Sequence, residues 1–159
     1  MSELAPGAHA PTFTATAVGG EKYKSGMEVS LGDFDGKTVV LYFYPKDDTP
    51  GCTQQACDLR DGWSRLARKV VLFGISPDGP KKHIKFIEKH NLPFPLLSDE
   101  SHAIAEAYGV WVEKTLYGRK YMAAERTTFI IAPDGKIRDV LKKVKPSEHL
   151  RMLEDALAG

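Results

Sequence analysis

Residues 44–57 read Tyr-Pro-Lys-Asp-Asp-Thr-Pro-Gly-Cys-Thr-Gln-Gln-Ala-Cys, and this stretch decides how the rest of the chain is interpreted. It follows an apolar run, Val39–Tyr44, and its Pro, Asp and Gly residues indicate a loop that ends where a helix begins. Cys52 therefore falls in the first turn of the predicted helix. Because the partial positive charge at a helix N-terminus stabilises an ionised thiol, this position predicts a nucleophilic cysteine.

The second cysteine, Cys57, lies five positions after Cys52. In an intact α-helix the Cα atoms of residues i and i+5 are about 8.7 Å apart, whereas a disulfide needs a Cα separation below about 7 Å. Either the two thiols never bond, or bonding unwinds the first turns of the helix. The spacing differs from the Cys-x-x-Cys motif, which argues against a general disulfide reductase.

Ionisation alone does not make this thiol react rapidly, because the nucleophilicity of a thiolate falls as the pKa of its thiol falls. Hydrogen-bond donors must also stabilise the charge that develops on a leaving group. We therefore expect backbone or cationic donors to lie beside Cys52.

Composition indicates one domain over residues 1–159, since 42% of the residues are hydrophobic and can fill a core. The 22 basic and 21 acidic residues are well mixed, and no basic stripe or basic amphipathic helix predicts binding to nucleic acid or to a membrane. The apolar runs Val39–Tyr44 and Val70–Ile75 are too short to span a bilayer. The first residues lack the pattern of a signal peptide, so we expect a cytoplasmic protein with free or catalytic thiols.

Hydrophobic patterning predicts strands that alternate with helices. Val39–Tyr44 and Val70–Ile75 are continuously apolar, as in strands buried on both faces, and a helix over Cys52–Lys69 connects them. A loop is predicted between Val18 and Leu31, and a loop or bent strand over Trp111–Glu125. The other predicted elements are a strand or hairpin near Phe13–Val18, a helix from Pro80 to about His90, a short strand Phe94–Leu97, a short helix Ser101–Tyr108, strands Thr127–Ala132 and Ile137–Val144, and a final helix from Pro146.

This order of elements is that of a thioredoxin-like core with insertions. The predicted fold class is therefore α/β, with a central mixed β-sheet flanked by helices.

The loop and the helix start carry the motif Pro-x-x-x-Thr-x-x-Cys of the peroxiredoxins, which reads here as residues 45–52. A second cysteine five positions on makes Gly51–Asp61 resemble the Q-type, or bacterioferritin comigratory protein, branch of that family. Gln55 stands where Glu is common, and Ala132-Pro133 replaces the more usual Asp, but neither touches the matched catalytic positions. Three further stretches resemble the same branch: Leu92–Asp99, Tyr108–Trp111 and Arg126–Ile131.

The resemblance implies a thiol-dependent peroxidase. Cys52, the peroxidatic cysteine, is expected to attack the peroxide O–O bond and become a sulfenic acid, which Cys57 then resolves to an intramolecular disulfide. Thr49 is expected to place its hydroxyl on the peroxide, Pro45 to shield the pocket from water, and Arg126 to hold the thiolate and the developing charge. The implied substrates are hydrogen peroxide and organic hydroperoxides, and the implied reductant is thioredoxin or a similar dithiol protein. No metal, haem or flavin is implied, and the branch favours a monomer.

Two other interpretations stay open. In the first, the protein is a one-cysteine peroxidase, Cys57 is an incidental thiol, and the resolving thiol comes from another molecule. In the second, the protein is a non-catalytic module of thioredoxin-like fold, and the two cysteines form a structural disulfide. The five histidines show no ligand spacing with either cysteine, so the sequence predicts no metal site and assigns them no role.

Overall fold

The computed structural model describes residues 4–158, and a seven-stranded mixed sheet lies at its centre. The strands of this sheet are β1 (Thr14–Gly19), β2 (Tyr23–Ser30), β3 (Val39–Phe43), β4 (Val71–Ser76), β5 (Pro95–Ser98), β8 (Thr127–Ile131) and β9 (Ile137–Leu141). A separate antiparallel pair consists of β6 (Trp111–Leu116) and β7 (Arg119–Ala124). The helices are α1 (Pro50–Asp61), α2 (Trp63–Leu66), α3 (Pro80–His90), α4 (Ala103–Ala107) and α5 (His149–Ala158), with a 3-10 helix at Leu31–Phe34.

The strands of the main sheet are ordered β2-β1-β5-β4-β3-β8-β9. Neighbours β3, β4 and β5 run parallel, and the other neighbouring pairs are antiparallel. The mixed sheet and the flanking helices confirm the predicted fold class.

Strand β3 shows why a continuous apolar run belongs in the middle of this sheet. All of its residues are buried, and alternate side chains enter the cores on opposite faces. Val39, Leu41 and Phe43 pack in the core that α4 and the 3-10 helix cover, whereas Val40 and Tyr42 pack in the core that α1, α2, α3 and α5 cover. Because both faces of the strand are buried, its sequence is apolar throughout and does not alternate between apolar and polar residues.

The topology brings distant parts of the chain to one end of β3. The loop of residues 44–49 leaves that end and leads into α1. Strand β8 runs antiparallel to β3 with Phe43 opposite Thr127, so Arg126 lies beside the same end. Helix α5 packs on α1. The two helices approach closely at Gly62, which follows α1 directly, because an added Cβ there would lie only 2.8 Å from Cδ1 of Leu150 on α5.

The predicted helix over Cys52–Lys69 is wrong in extent. The helix begins at Pro50 and is interrupted at Gly62, and the short α2 ends at Leu66. Glycine is a poor helix former, and here it also lets α5 approach closely, which a sequence window cannot reveal. The largest other differences are that β9 ends at Leu141 instead of Val144 and that α5 begins at His149 instead of Pro146, while the remaining boundaries agree to within two residues.

Two segments, one predicted as a loop and the other as a loop or bent strand, are paired strands. The segment between Val18 and Leu31 contains β2, which pairs with β1. The segment Trp111–Glu125 is a regular hairpin whose turn residues, Tyr117 (φ 51°) and Gly118 (φ 74°), both have the left-handed backbone of a type I′ turn. Most residues of this hairpin are exposed or half-buried, so its sequence lacks the alternation that reveals a strand.

Within residues 4–158, no helix has the length and apolar character that a membrane crossing requires.

Candidate active site

Cys52 is the third residue of α1, and only 2% of its surface is exposed. The first helical hydrogen bond runs from Thr53 N–H to Thr49 O at 2.8 Å. Pro50 has no N–H, so the N–H groups of Gly51 and Cys52 lie ahead of that first bond, at the positive end of the helix. Such N–H groups attract a negative charge, so the helix start favours a thiolate at this position.

Arg126 supplies the cationic donor that the sequence analysis required beside Cys52. Its Nη1 donates to Cys52 Sγ at 3.2 Å and to Gln55 Oε1 at 2.6 Å. Its Nη2 lies so close to the helix start that an added Cβ at Gly51 would be only 3.3 Å away. The guanidinium therefore rests against the first turn of α1, with its charge directed at the sulfur.

Thr49 and Pro45 both lie on the loop that connects β3 to α1. Thr49 is the N-cap residue of α1, but its hydroxyl makes no capping bond and donates instead to Lys46 O at 3.1 Å. The Thr49 oxygen thus keeps lone pairs that can accept a hydrogen bond from a bound molecule. Pro45 is half-buried at the beginning of the loop. The structure therefore places Pro45, Thr49, Cys52 and Arg126 at the same end of β3.

Cys57 lies on the same helix as Cys52, and both thiols are free. Cys57 is half-buried, whereas Cys52 is buried. Because α1 is continuous over Pro50–Asp61, their Cα atoms are about 8.7 Å apart, which is too far for a disulfide. A bond between these cysteines requires the first turns of α1 to unwind.

A network of buried polar groups, here called the loop network, fixes the segment that carries Pro45 and Thr49. Its centre is Asp47, whose Oδ1 accepts from the Tyr44 hydroxyl at 2.5 Å and whose Oδ2 lies 2.6 Å from His83 Nδ1. The Asp47 N–H donates to Asp78 Oδ2 at 2.7 Å. These bonds tie the loop to α3 and to the residues that follow β4.

A second buried network, here called the helix network, extends from Arg126 to α5. Gln55 Nε2 lies 3.0 Å from His149 Nδ1, and His149 Nε2 lies 2.8 Å from Thr128 Oγ1. Gln55, Thr128 and His149 are all fully buried. Burial, and secondarily the charge of Arg126, lowers the pKa of His149 to about 3, so the ring is neutral.

Sequence reasoning missed the polar residues of both networks. Gln55 was noted only as a departure from the usual Glu, and His83 and His149 received no role. A signal was nevertheless present, because each of them lies on the apolar face of its helix. Gln55 lies beside Ala56 and Leu59, and a polar residue in such a position must find a buried partner.

The described part of the chain holds no group of three or more His, Cys, Asp or Glu side chains that could bind a metal ion. The polar groups of the loop and helix networks therefore do not form a metal-binding cluster.

Known proteins resemble this chain along most of its length. Residues 6–140 match the AhpC/TSA family. The putative peroxiredoxin bcp of Coxiella burnetii is 50% identical over 145 residues, which cover 91% of this chain and 92% of that protein. Peroxiredoxin Bcp of Escherichia coli K12 is 45% identical over 150 residues, or 94% of this chain and 92% of that protein.

Solved structures extend the likeness to the fold. The bacterioferritin comigratory protein of Xanthomonas campestris superposes with a TM-score of 0.84 at 30% identity, over 98% of this chain and 96% of that chain. A mutant PrxQ of Xylella fastidiosa superposes with a TM-score of 0.89 at 27% identity, over 99% of this chain and 98% of that chain.

The chain therefore belongs to the AhpC/TSA family, whose relatives here are peroxiredoxins, that is, thiol peroxidases. The relatives called Bcp and PrxQ also confirm the predicted branch, the Q-type or bacterioferritin comigratory protein group.

Proposed function

We propose that this protein reduces hydrogen peroxide and organic hydroperoxides, with Cys52 as the peroxidatic cysteine. The observation that carries the proposal is the contact between Arg126 Nη1 and Cys52 Sγ, 3.2 Å long, at the N-terminus of α1. Family membership supports it, and so does the alkyl peroxide reduction activity of the related Xanthomonas campestris protein.

The first step is a nucleophilic attack by the Cys52 thiolate on one oxygen of the hydroperoxide. The O–O bond breaks, sulfur loses two electrons and becomes a sulfenic acid, and the alkoxide or hydroxide takes a proton and leaves as an alcohol or water. Arg126 and the N–H groups at the helix start stabilise the charge on the departing oxygen. The Thr49 oxygen accepts the peroxide O–H, and Pro45 excludes water from the reacting atoms.

The second step removes the sulfenic acid. The Cys57 thiol attacks Cys52 Sγ, a disulfide forms, and the sulfenic oxygen leaves as water. This step needs α1 to open, because the wound helix keeps the two cysteines too far apart. A dithiol protein such as thioredoxin then donates two electrons and two protons, and both thiols are restored.

The proposal is tested by peroxide consumption with thioredoxin, thioredoxin reductase and NADPH. We expect Cys52→Ser to abolish turnover, and Cys57→Ser to consume one equivalent of peroxide without recycling by thioredoxin. Full turnover by Cys52→Ser would refute the peroxidatic assignment. Sustained turnover by Cys57→Ser would instead favour the one-cysteine peroxidase with an external resolving thiol.

The continuous helix α1 argues against a structural disulfide, because it keeps the two cysteines too far apart to bond. Thiol titration tests this point, because two thiols that disappear after one equivalent of peroxide are redox-active. The organisation as one domain over residues 1–159, the monomeric state, the cytoplasmic location and the independence from a cofactor remain predictions.

A further inference from the structure

We propose that Gln55, His149 and Thr128 form a latch, which holds the first turns of α1 wound and keeps Arg126 on the sulfur of Cys52. The latch residues position other groups and do not react, since within residues 4–158 the hydrogen bond to Sγ comes from Arg126. The inference rests on the proposed function, because it concerns the two states through which α1 passes during that reaction.

The direction of every hydrogen bond in the latch follows from Arg126. A guanidinium can only donate, so the Gln55 atom that lies 2.6 Å from Nη1 is the amide oxygen. The Gln55 amide nitrogen therefore faces His149 Nδ1, 3.0 Å away, and donates to it. The ring proton of His149 must then be on Nε2, which donates to Thr128 Oγ1 at 2.8 Å.

The latch works only with a neutral His149. A protonated ring would present a second donor to the Gln55 amide, and one of the two bonds would be lost. Burial and the nearby Arg126 lower the pKa of His149 to about 3, so the ring accepts from Gln55 at neutral pH. Because all three latch residues are fully buried, water does not replace a bond that is removed.

The position of Gln55 couples the latch to the redox step. Gln55 lies between Cys52 and Cys57 in the sequence of α1, so any unwinding that brings the two sulfurs together also moves Gln55. That movement breaks the bonds of Gln55 to Arg126 and to His149. The strength of the latch therefore sets how often the helix opens.

Two reactions compete for the sulfenic acid of Cys52, and the latch decides between them. While α1 stays wound, a second hydroperoxide can oxidise the sulfenic acid to a sulfinic acid and is itself reduced to an alcohol or water. When α1 opens, Cys57 attacks Sγ, the disulfide forms, and water leaves. A weaker latch thus makes the protein slower towards peroxide but more resistant to overoxidation.

The decisive variant is His149→Phe, which keeps a planar ring and removes both hydrogen bonds. Stopped-flow fluorescence separates the reaction with peroxide from disulfide formation, and mass spectrometry measures the sulfinic acid. We expect the reaction with peroxide to be slower and overoxidation to require a higher peroxide concentration. Disulfide formation should be faster by roughly tenfold, because opening of α1 no longer has to break the buried hydrogen bond between Gln55 and His149. His149→Asn can place an amide oxygen near the Nδ1 position, so it should recover part of the wild-type behaviour.

Rates of His149→Phe within twofold of the wild type in both steps would overturn the latch. A wild-type protein that does not react with peroxide at all would instead refute the proposed function. If His149→Phe does not fold, Thr128→Val removes one hydroxyl from the same chain of bonds, and the same two rates are compared.

A spectroscopic measurement tests the latch without any activity. Nitrogen-15 NMR of the reduced wild-type protein should show the His149 proton on Nε2. In Gln55→Glu a carboxylate replaces the donating amide, so the His149 ring should carry a proton on Nδ1. A wild-type ring that is protonated on Nδ1 would contradict the latch.

Discussion

Two buried histidines bond to elements of the candidate site, His83 to its loop and His149 to α1, and their partners differ. In the loop network His83 faces acceptors on both sides, the carboxylate of Asp47 at 2.6 Å and Leu97 O at 3.0 Å. In the helix network His149 faces the amide of Gln55 and the hydroxyl of Thr128. Both rings are fully buried, so burial alone does not distinguish them.

The difference shows that the hydrogen-bond partners of a buried histidine determine whether it fixes a segment firmly or lets the segment move. The loop network contains the carboxylates of Asp47 and Asp78, and removal of either leaves charged or polar groups buried without a partner. In the helix network the bonds of His149 to Gln55 and to Thr128 join neutral side chains, and each of them is weaker than a hydrogen bond to a charged group. The first network suits a fixed loop, and the second suits a helix that must open and close.

Arg126 belongs to the helix network but acts directly on the sulfur, so its loss should have the largest effect. We expect Arg126→Met to slow the reaction of reduced protein with peroxide by about 10²–10³-fold, because the donor to the developing charge is removed. Stopped-flow measurement at pseudo-first-order peroxide gives the rate. The exposed Arg68→Met serves as the control, and a rate for Arg126→Met close to that control would contradict the role of Arg126.

The loop network should matter more for stability than the helix network. We expect Asp47→Asn to lower the free energy of unfolding by about 3 kcal/mol, because the buried partners of the carboxylate are left unpaired. For His149→Phe, which removes neutral hydrogen bonds, we expect about 1–2 kcal/mol. Urea denaturation measures both, with the exposed Asp35→Asn as control. Equal losses in the two networks would show that their different partners do not matter for stability.

The smallest expected effect is the pH dependence that His149 contributes. In the unfolded chain His149 has its ordinary pKa of 6.5, and in the folded chain burial and Arg126 lower that pKa to about 3. Between these values the unfolded state binds more protons, so the contribution of His149 to stability is complete above the higher pKa and is lost as the pH falls. This contribution should fall by about 2 kcal/mol from about pH 7.5 to about pH 5.

The measurement compares urea denaturation of wild type and His149→Phe at both pH values. Other titrating groups cancel in the difference between the two proteins, so the variant should show the smaller loss at low pH. Parallel changes in the two proteins would mean that His149 titrates alike in the folded and unfolded chains.

Local sequence was sufficient where the structure depends on neighbouring residues. The apolar runs predicted β3 and β4, and the Pro, Asp and Gly residues before Cys52 predicted the loop and the start of α1. The interruption at Gly62 was not predicted, since its reason lies in Leu150 on another helix. The exposed hairpin of β6 and β7 was predicted only as a loop or bent strand, because strands without a buried face carry no regular alternation.

The candidate site divides in the same way. Cys52, Thr49 and Pro45 lie on one continuous segment, so their common position could be predicted from the spacing alone. Arg126 is one of 22 basic residues, and only the resemblance to the peroxiredoxins singled it out. Gln55 and His149 could have been suspected from their places on apolar helix faces, but their partners could not.

By itself the sequence determined that a cysteine stands at the start of a helix, with a second cysteine where a wound helix cannot let it bond. Both facts follow from consecutive residues and from helix geometry. Only the tertiary structure decided which arginine reaches the sulfur and which histidine meets Gln55. The reason is that these contacts depend on β8 running antiparallel beside β3 and on α5 packing against α1, and both bring together residues that are far apart in the chain.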